Sequence, residues 1–453
     1  MCWQRAVSVV GCDCCPLSIE QFLLVRPVNP IKNLANIIPS SKTMVGWRLE
    51  QGANWQAWGQ GIICQGVRVS GCQGVRVSGC QGVRALEFPV HPLEMLIVDS
   101  HLDLAWNAMQ GNRDLLQSAY TIRTQEGHSS SAGSGGQGTV ALPEMRKGRI
   151  FLAVVTLMAR HTGRTASNID YGSQAQATAT AQGHLAYYRG LEAHGHVRIV
   201  ADVQTLNQHV AEWEAWEAAG ADPVQTPRLG FVISMESADP IWQPSHLAEW
   251  HDAGLRLIGP THYGPGRYAG GTASEAGLSA LGKELLAEMG KLGVILDMTH
   301  FSDQSFWQAL VEYEGPIIAS HQNCRALVPH QRQFDDRQLK AIIARDGVIS
   351  AAFDNWMIRA GWTLRSRHEI SVTIGHVVDH IDYVCQLAGN ARHAAIGSDL
   401  DGGFGREQSP GDLDTITDIQ KVSEILRSRG YAEADIAGIM HSNWLRVLRR
   451  QWA

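Results

Sequence analysis

The 453-residue chain is poor in several things at once. No window approaches the roughly 20 consecutive apolar residues of a membrane-spanning helix, so a transmembrane segment is not expected. Charge of one sign is not in excess either: 38 Lys and Arg against 44 Asp and Glu give a formal net charge of −6. Without a basic footprint, nucleic acid is an unsuitable partner and small-molecule chemistry the better prior. Charged residues make up only 18% and hydrophobic ones 44%, a normal balance for an enzyme-sized core. Cysteine is scarce where it would matter. Of nine cysteines, Cys2, Cys12, Cys14, Cys15, Cys64, Cys72 and Cys80 crowd the first 80 residues, leaving Cys324 and Cys385 beyond. The long second part has no disulfide-based extracellular design, so its default location is cytoplasmic.

The first 94 residues differ in kind from the rest. Cys64, Cys72 and Cys80 merely follow a tandem repeat, "CQGVRVSG", "CQGVRVSG", "CQGVRA", with no histidine at a zinc-binding spacing. Eight-residue units in two and a half copies are too few to bury or cap a solenoid. At the start, "AVSVV" is too short for a secretory apolar core. Residues 1–94 therefore read as a low-complexity, poorly ordered or mis-assigned extension, with the working protein beginning at Met95.

From Met95 onward, short apolar runs alternate with longer segments of helical period, the pattern of repeated βα units around a parallel sheet. Eight strands are expected: 96–101, 149–158, 228–236, 255–262, 293–300, 316–321, 347–353 and 393–399. Helices are expected over 279–292 and 370–389, and a Gly/Ser-rich loop over 129–138. Eight such strands over residues 95–453 fit an α/β fold of the closed (β/α)8 TIM-barrel type, whose catalytic residues sit at the C-terminal strand ends. That rule can be checked within the sequence. Strand 1 runs into His101 and Asp103, strand 3 ends in Glu236, strand 4 in His262, strand 5 in His300, strand 6 in His321 and strand 8 in Asp399.

Any one of these has a bland reading, since a lone His at a strand end is more often a hydrogen-bonded structural residue and Arg332 alone is a solvated loop charge. Together they place imidazoles and carboxylates, the usual ligands of zinc, around one end of the barrel. One ion is expected to take His101, Asp103 and Glu236 and a second to take Glu236, His300 and His321, with Glu236 bridging. A hydroxide held between two metals is a nucleophile at neutral pH. Asp399, ionised beside cations until it takes a proton, is positioned to pass it from that water to a leaving amine. His262 polarises the carbonyl or binds the oxyanion. Arg332, in "HQRQFDD", is the candidate clamp for a substrate carboxylate.

With these residues in hand, the chain resembles the membrane dipeptidase (renal dipeptidase) family, peptidase family M19 of the amidohydrolase superfamily, over roughly residues 95–450. The landmarks are "DSHLDLAW", "LPEMRKGRI", "GLRLIGPTH", "GLSALGKELLAEMGKLGVILDMTHFSD", "PIIASHQNCRALVPHQRQFDD", "IGSDLDGGFG" and "SNWLRVLR", in matching order and spacing. The resemblance implies two zinc ions on the ligand set above, substrate-binding roles for His262 and Arg332, proton transfer by Asp399, a homodimer, and hydrolysis of dipeptides, often with a D-residue at the C-terminal position. Some members of the family open β-lactams. Two departures stand out. The loop after His262 reads "YGPGRYAGGT" where the family has "N-x-x-WAD", and Glu236 lies in "SMESAD" where "GxEG" is usual. The tail "LRVLRRQWA" carries no hydrophobic anchoring segment.

The leading expectation is thus a zinc-dependent dipeptidase acting on L-L or L-D dipeptides through a metal-bridging hydroxide. The changed strand 4 loop motivates a second, a binuclear zinc amidohydrolase acting on N-acyl amino acids, cyclic amides or lactams. A third, a non-catalytic barrel used as a binding protein, sits badly with the complete ligand set.

Overall fold

The computed structural model describes residues 55–58, 61–64, 94–127, 137–163 and 169–453. Two compact units divide the chain, Met1–Phe88 and Pro89–Ala453. In the first, Trp55–Trp58 pairs antiparallel with Gly61–Cys64, a pair that the repeat-dominated reading of this region did not anticipate. The other residues of the expected poorly ordered extension, Glu94 apart, lie outside the described residues, as does most of the Gly/Ser-rich loop.

In the second unit all eight expected barrel strands form: β1 (Ile97–Leu102), β2 (Ile150–Met158), β3 (Leu229–Glu236), β4 (Leu255–Gly259), β5 (Ile295–Asp297), β6 (Ile317–Ile318), β7 (Ile349–Ala351) and β8 (Ala394–Ile396). Every pairing between them is parallel, in the spatial order β7-β8-β1-β2-β3-β4-β5-β6. A bridge between Ala319 and Ile349 joins β6 to β7 and brings the ring nearly to closure. A closed parallel sheet is covered on both faces, which is why its strands read as unbroken apolar runs rather than alternations. All nine residues of β2, IFLAVVTLM, are buried. A ninth strand, Val197–Ile199, pairs with β3 outside the ring. Three residues are too few to display a period, so sequence pattern could not reveal it.

Helices close the outer layer as their end signals dictate. Ser279 accepts from the Gly282 amide to start Ala280–Leu292, and Gly293, at φ 67°, ends it in the left-handed conformation. The helix Ile374–Ala388 begins at Thr373 and stops at Gly389, φ 70°.

The first three strands run to their expected ends or one residue beyond, but the last five end earlier than expected: β4 stops at Gly259, three residues before His262, and β5 at Asp297, three before His300. At the rim, carboxylates replace the ladder. Asp297 Oδ1 accepts from the amides of Thr299 and Ser320, each at 3.0 Å, tying the exits of β5 and β6 together. Asp99 does the same for β1 and β8, accepting from the amides of His101 (3.2 Å) and Ser398 (2.8 Å). Buried acceptors of this kind satisfy amides that the ended ladder leaves open. They also bring His300 beside His321, and His101 beside Asp399.

Candidate active site

Six of the seven strand-end residues expected to form the site line one cavity of about 290 Å³ at the C-terminal face of the barrel: Asp103, Glu236, His262, His300, His321 and Asp399. His101 is packed among them, and Arg332 joins the lining from the loop after β6. His300 and Asp399 have φ of 69° and 58°, left-handed values that non-glycine residues adopt at a cost. Such conformations persist where the surroundings over-determine them, and functional sites are where they cluster.

Glu236 is the centre of the arrangement. Its Oε2 lies 3.5 Å from His101 Nε2, while Oε1 lies 3.2 Å from His300 Nε2 and 3.4 Å from His321 Nε2. His101 Nε2 is also 3.8 Å from both Asp103 Oδ2 and Asp399 Oδ1. The groups able to hold an ion overlap: His101 with Asp103 and Glu236, His101 with His321 and Asp399, and Glu236 with His262 and His300. Sequence reading had not grouped Asp399 or His262 with the ligands.

The residues fit metal ions on two counts. Among the described residues, His101 Nε2 and Glu236 Oε1 are buried without a hydrogen-bond partner, and a buried polar group left unsatisfied is costly unless an ion takes it up. The electrostatics add a demand for positive charge. Burial disfavours a cation on His101, yet the carboxylates of Glu236, Asp103 and Asp399 push it up to about 10. A divalent cation bound to the same nitrogen answers that demand without the proton. Burial also disfavours ionisation of Glu236, but the neighbouring His101 and His262 hold its carboxyl well below the ordinary range. Burial and neighbouring cationic groups keep His300 and His321 well below theirs, so both rings are neutral, the form that ligates.

Side chains from outside the strand-end set orient the rings. Thr272 Oγ1 lies 3.0 Å from His300 Nδ1, and Ser320 Oγ lies 2.8 Å from His321 Nδ1, leaving each Nε2 to face Glu236. Thr156 hydrogen-bonds to Asp103 Oδ1. Asp401 fixes the loop that carries Asp399: it accepts from the Thr139 and Val140 amides and pairs with Arg113 at 3.1 Å. None of these stood out in the sequence, because a serine, threonine or loop aspartate has no periodic signature.

Arg332 is 2% exposed and is held by Gln322 Oε1 (2.9 Å) and the His321 carbonyl (3.0 Å); it is no solvated loop charge. His262 is kept down to about 3, chiefly by burial, against Glu236 and with Arg160 and Arg332 adding. For Asp399, burial followed by the Asp103 and Glu236 charges, against His101, raises the carboxyl well above its usual range. Cations bound in the site would pull it back down. The cavity also has an apolar side, with Trp106, Met158, Ile169, Tyr263, Trp356 and Met357, and one more buried carboxylate, Asp354.

A parallel barrel with a converging set of histidines and carboxylates at its C-terminal rim defines a metal-dependent hydrolase. The profile of the membrane dipeptidase family, peptidase family M19, matches residues 92–452, and the chain belongs to that metallopeptidase family. It is 31% identical over 214 residues to an uncharacterized protein from the pqqA 5′ region of Klebsiella pneumoniae, covering 46% of this chain and 76% of the relative. It is 30% identical over 239 residues to the dipeptidase tcpJ of Claviceps purpurea, covering 50% of this chain. The match spans about half of that relative's length, 53%. Among solved structures, dipeptidase AC, a metallo peptidase of family M19, superposes with a TM-score of 0.63 at 22% identity, over 79% of this chain and 99% of that one. A metallo peptidase from Rhodobacter sphaeroides, liganded with a phosphinate mimic of L-Ala-D-Ala, gives 0.60 at 22% identity, over 79% and 100%. These structures share the fold.

Proposed function

We propose that the protein is a dipeptidase holding two zinc ions, with His101 and Asp103 on one, His300 and His321 on the other, and Glu236 between them. The observation that carries this reading is the divided carboxylate of Glu236, one oxygen toward His101 and the other toward the His300–His321 pair. When bound, the ions supply Lewis acidity and water acidified to near-neutral pKa, the nucleophile of the hydrolysis.

The remaining steps belong to the chain's own side chains. Arg332 holds the substrate's C-terminal carboxylate by its planar fork. His262 donates a hydrogen bond to the carbonyl oxygen as charge builds there. Asp399 takes a proton from the attacking water and gives it to the departing amine when the C–N bond breaks, so the products are two free amino acids. The apolar wall receives their side chains. The mimic of L-Ala-D-Ala bound by the Rhodobacter sphaeroides relative supports an L-D dipeptide as substrate, with L-L dipeptides the other expected class.

The test is a panel of L-L and L-D dipeptides, N-acyl amino acids and a β-lactam, offered to the zinc-loaded protein. Dipeptide turnover, lost on chelation and regained with zinc, is the expected result. The ring of Tyr263, at 4.8 Å from His262 and 5.2 Å from His300, brings the altered loop into the cavity. Turnover confined to the other amides would therefore replace the dipeptidase reading by the amidohydrolase one. The homodimer implied by the resemblance is part of the proposal and is checked by light scattering. We also expect protein beginning at Met95 to keep the activity, so an inactive truncation would make residues 1–94 part of the working enzyme.

A further inference from the structure

Arg160 lies just past β2, on the rim opposite Arg332, and neither the strand-end pattern nor the ligand set accounts for it. Its backbone is tied across the following loop, its amide to the Ile169 carbonyl and its carbonyl to the Tyr171 amide, each at 2.8 Å. Its guanidinium sits 3.3 Å from Asp170 Oδ2. Asp170 in turn accepts from the amide (2.9 Å) and hydroxyl (2.6 Å) of Thr162. The backbone ties and the Asp170 ion pair thus position the guanidinium, and its Nη1 lies 2.7 Å from His262 Nδ1.

We infer that Arg160 sets the tautomer of His262, making that ring a hydrogen-bond donor through Nε2 and withdrawing it from metal ligation. The argument is one of donor inventory. A guanidinium has five N–H donors, no acceptor, and keeps its proton in proteins, so in a 2.7 Å contact the imidazole nitrogen must accept. Nδ1 then spends its lone pair on Arg160, and the proton of the neutral ring sits on Nε2. A protonated Nε2 offers no lone pair to a cation. His262 therefore stays outside the ligand set, although it lies with Glu236 and His300 in a group close enough to hold an ion. What remains is an N–H, the form needed to meet a carbonyl oxygen that gains charge. Arg160 is a positioning residue: it acts through His262 and need not touch substrate. Its catalytic consequence rests on the dipeptidase reading above, while the tautomer itself does not.

The experiment uses full-length zinc-loaded protein with 15N-labelled histidine, the His262 signals being identified by their absence in His262→Gln. The expected wild-type spectrum has a pyridine-type Nδ1 and a pyrrole-type Nε2 for His262. In Arg160→Met this pattern becomes a mixture of tautomers, and kcat for dipeptides falls on the order of 10–100-fold, the usual cost of losing a partner that orients a site histidine, with KM little changed. Arg160→Lys, which still donates, keeps most of both. A pyrrole-type Nδ1 in the wild type, or a His262 pattern unchanged in Arg160→Met, overturns the inference. Should Arg160→Met not fold, the wild-type and Arg160→Lys spectra decide it. Absence of dipeptide turnover with the expected tautomer would count against the dipeptidase reading alone, whereas dipeptide turnover with the wrong tautomer would count against Arg160 alone.

Discussion

The Nε2 atoms of His300 and His321 face each other at 3.1 Å, and the same oxygen of Glu236 lies within 3.4 Å of both. The other nitrogen of each ring is already engaged by a hydroxyl, Thr272 Oγ1 and Ser320 Oγ. One proton shared between two neutral rings makes a single hydrogen bond and leaves the carboxylate with an incomplete set. Ligands about 2.0–2.1 Å from a tetrahedral zinc are separated by about 3.3 Å, which is the spacing found. The spacing of the pair suits the proposal that both rings ligate one ion.

Metal content should follow the division of Glu236. The wild-type protein is expected to carry about two zinc ions per chain. His321→Ala and His101→Ala should each bring this to about one, and Glu236→Gln, which removes the shared charge, should fall below one. Elemental analysis of dialysed protein checks this. Equal, complete loss in all three variants would contradict two separable positions. Because binding confined to the folded state stabilises it, chelation should also lower the melting temperature of the wild type more than that of Glu236→Gln.

The loop after β8 offers a test that leaves every ligand in place. A Cβ at Gly402 would come within 1.9 Å of Asp399 Oδ1, a distance that no real contact tolerates. The same Cβ would lie 2.8 Å from the Asp399 carbonyl oxygen, so the carboxylate must turn away and the loop backbone must shift with it, and Gly402→Ala should fold with a stability loss of roughly 1–3 kcal/mol. The turned carboxylate no longer reaches the leaving amine, and kcat should fall on the order of 10²-fold, the contribution of a positioned proton carrier. Steady-state kinetics with an unchanged zinc content would support the role of Asp399, while near-normal kcat would remove it.

Why the proposed ligands were legible and their supports were not follows from what each does to the chain. His101, Glu236, His300 and His321 end runs such as "GVILDMTH", where a polar residue after an apolar run marks the rim of a parallel barrel. Asp297 and Asp99 lie inside the same runs, yet their work is to cap amides on neighbouring strands, Ser320 and Ser398. That pairing exists only after the sheet has closed. Thr272 reaches His300 from a loop 28 residues earlier, and Arg160 reaches His262 across 102. Contacts of this span leave no local pattern. Even the overlong strand expectations have this origin, since the apolar run continues past the point where side-chain caps replace the ladder.

Arg332 is expected to act on binding rather than on chemistry. Arg332→Met removes a charge-assisted pair worth about 1.5–3 kcal/mol, so KM for dipeptides should rise roughly 10–100-fold with kcat less affected. Substrates without a C-terminal carboxylate, such as dipeptide amides, should lose far less. Because the guanidinium also holds Gln322 Oε1 and the His321 carbonyl, Arg332→Lys serves as the control for local disorder. A loss equal for acids and amides would assign Arg332 to the scaffold.

Asp354 adds a pH dependence of stability separate from the ligands. It is buried at the cavity wall with both oxygens 2.9 Å from Gln408 Nε2, and burial raises it to about 7, against hydrogen bonds from Gln408 and Trp356 and the charge of Arg332. An aspartate in the unfolded chain titrates near 3.9. Between these values the folded protein keeps a proton that the unfolded chain releases, so this group's contribution to stability falls as pH rises from about 4 to about 7 and stays low above it. Asp354→Asn cannot ionise. In metal-free protein the variant should therefore gain on the wild type between pH 5 and pH 8, by roughly 2 kcal/mol or more. Any lost contact with Gln408 shifts both pH values alike and cancels in the comparison. Loaded ions lower the carboxyl by their charge and should shrink the gain. Urea midpoints of both proteins at the two pH values decide it: an offset independent of pH would mean that Asp354 titrates as an ordinary aspartate.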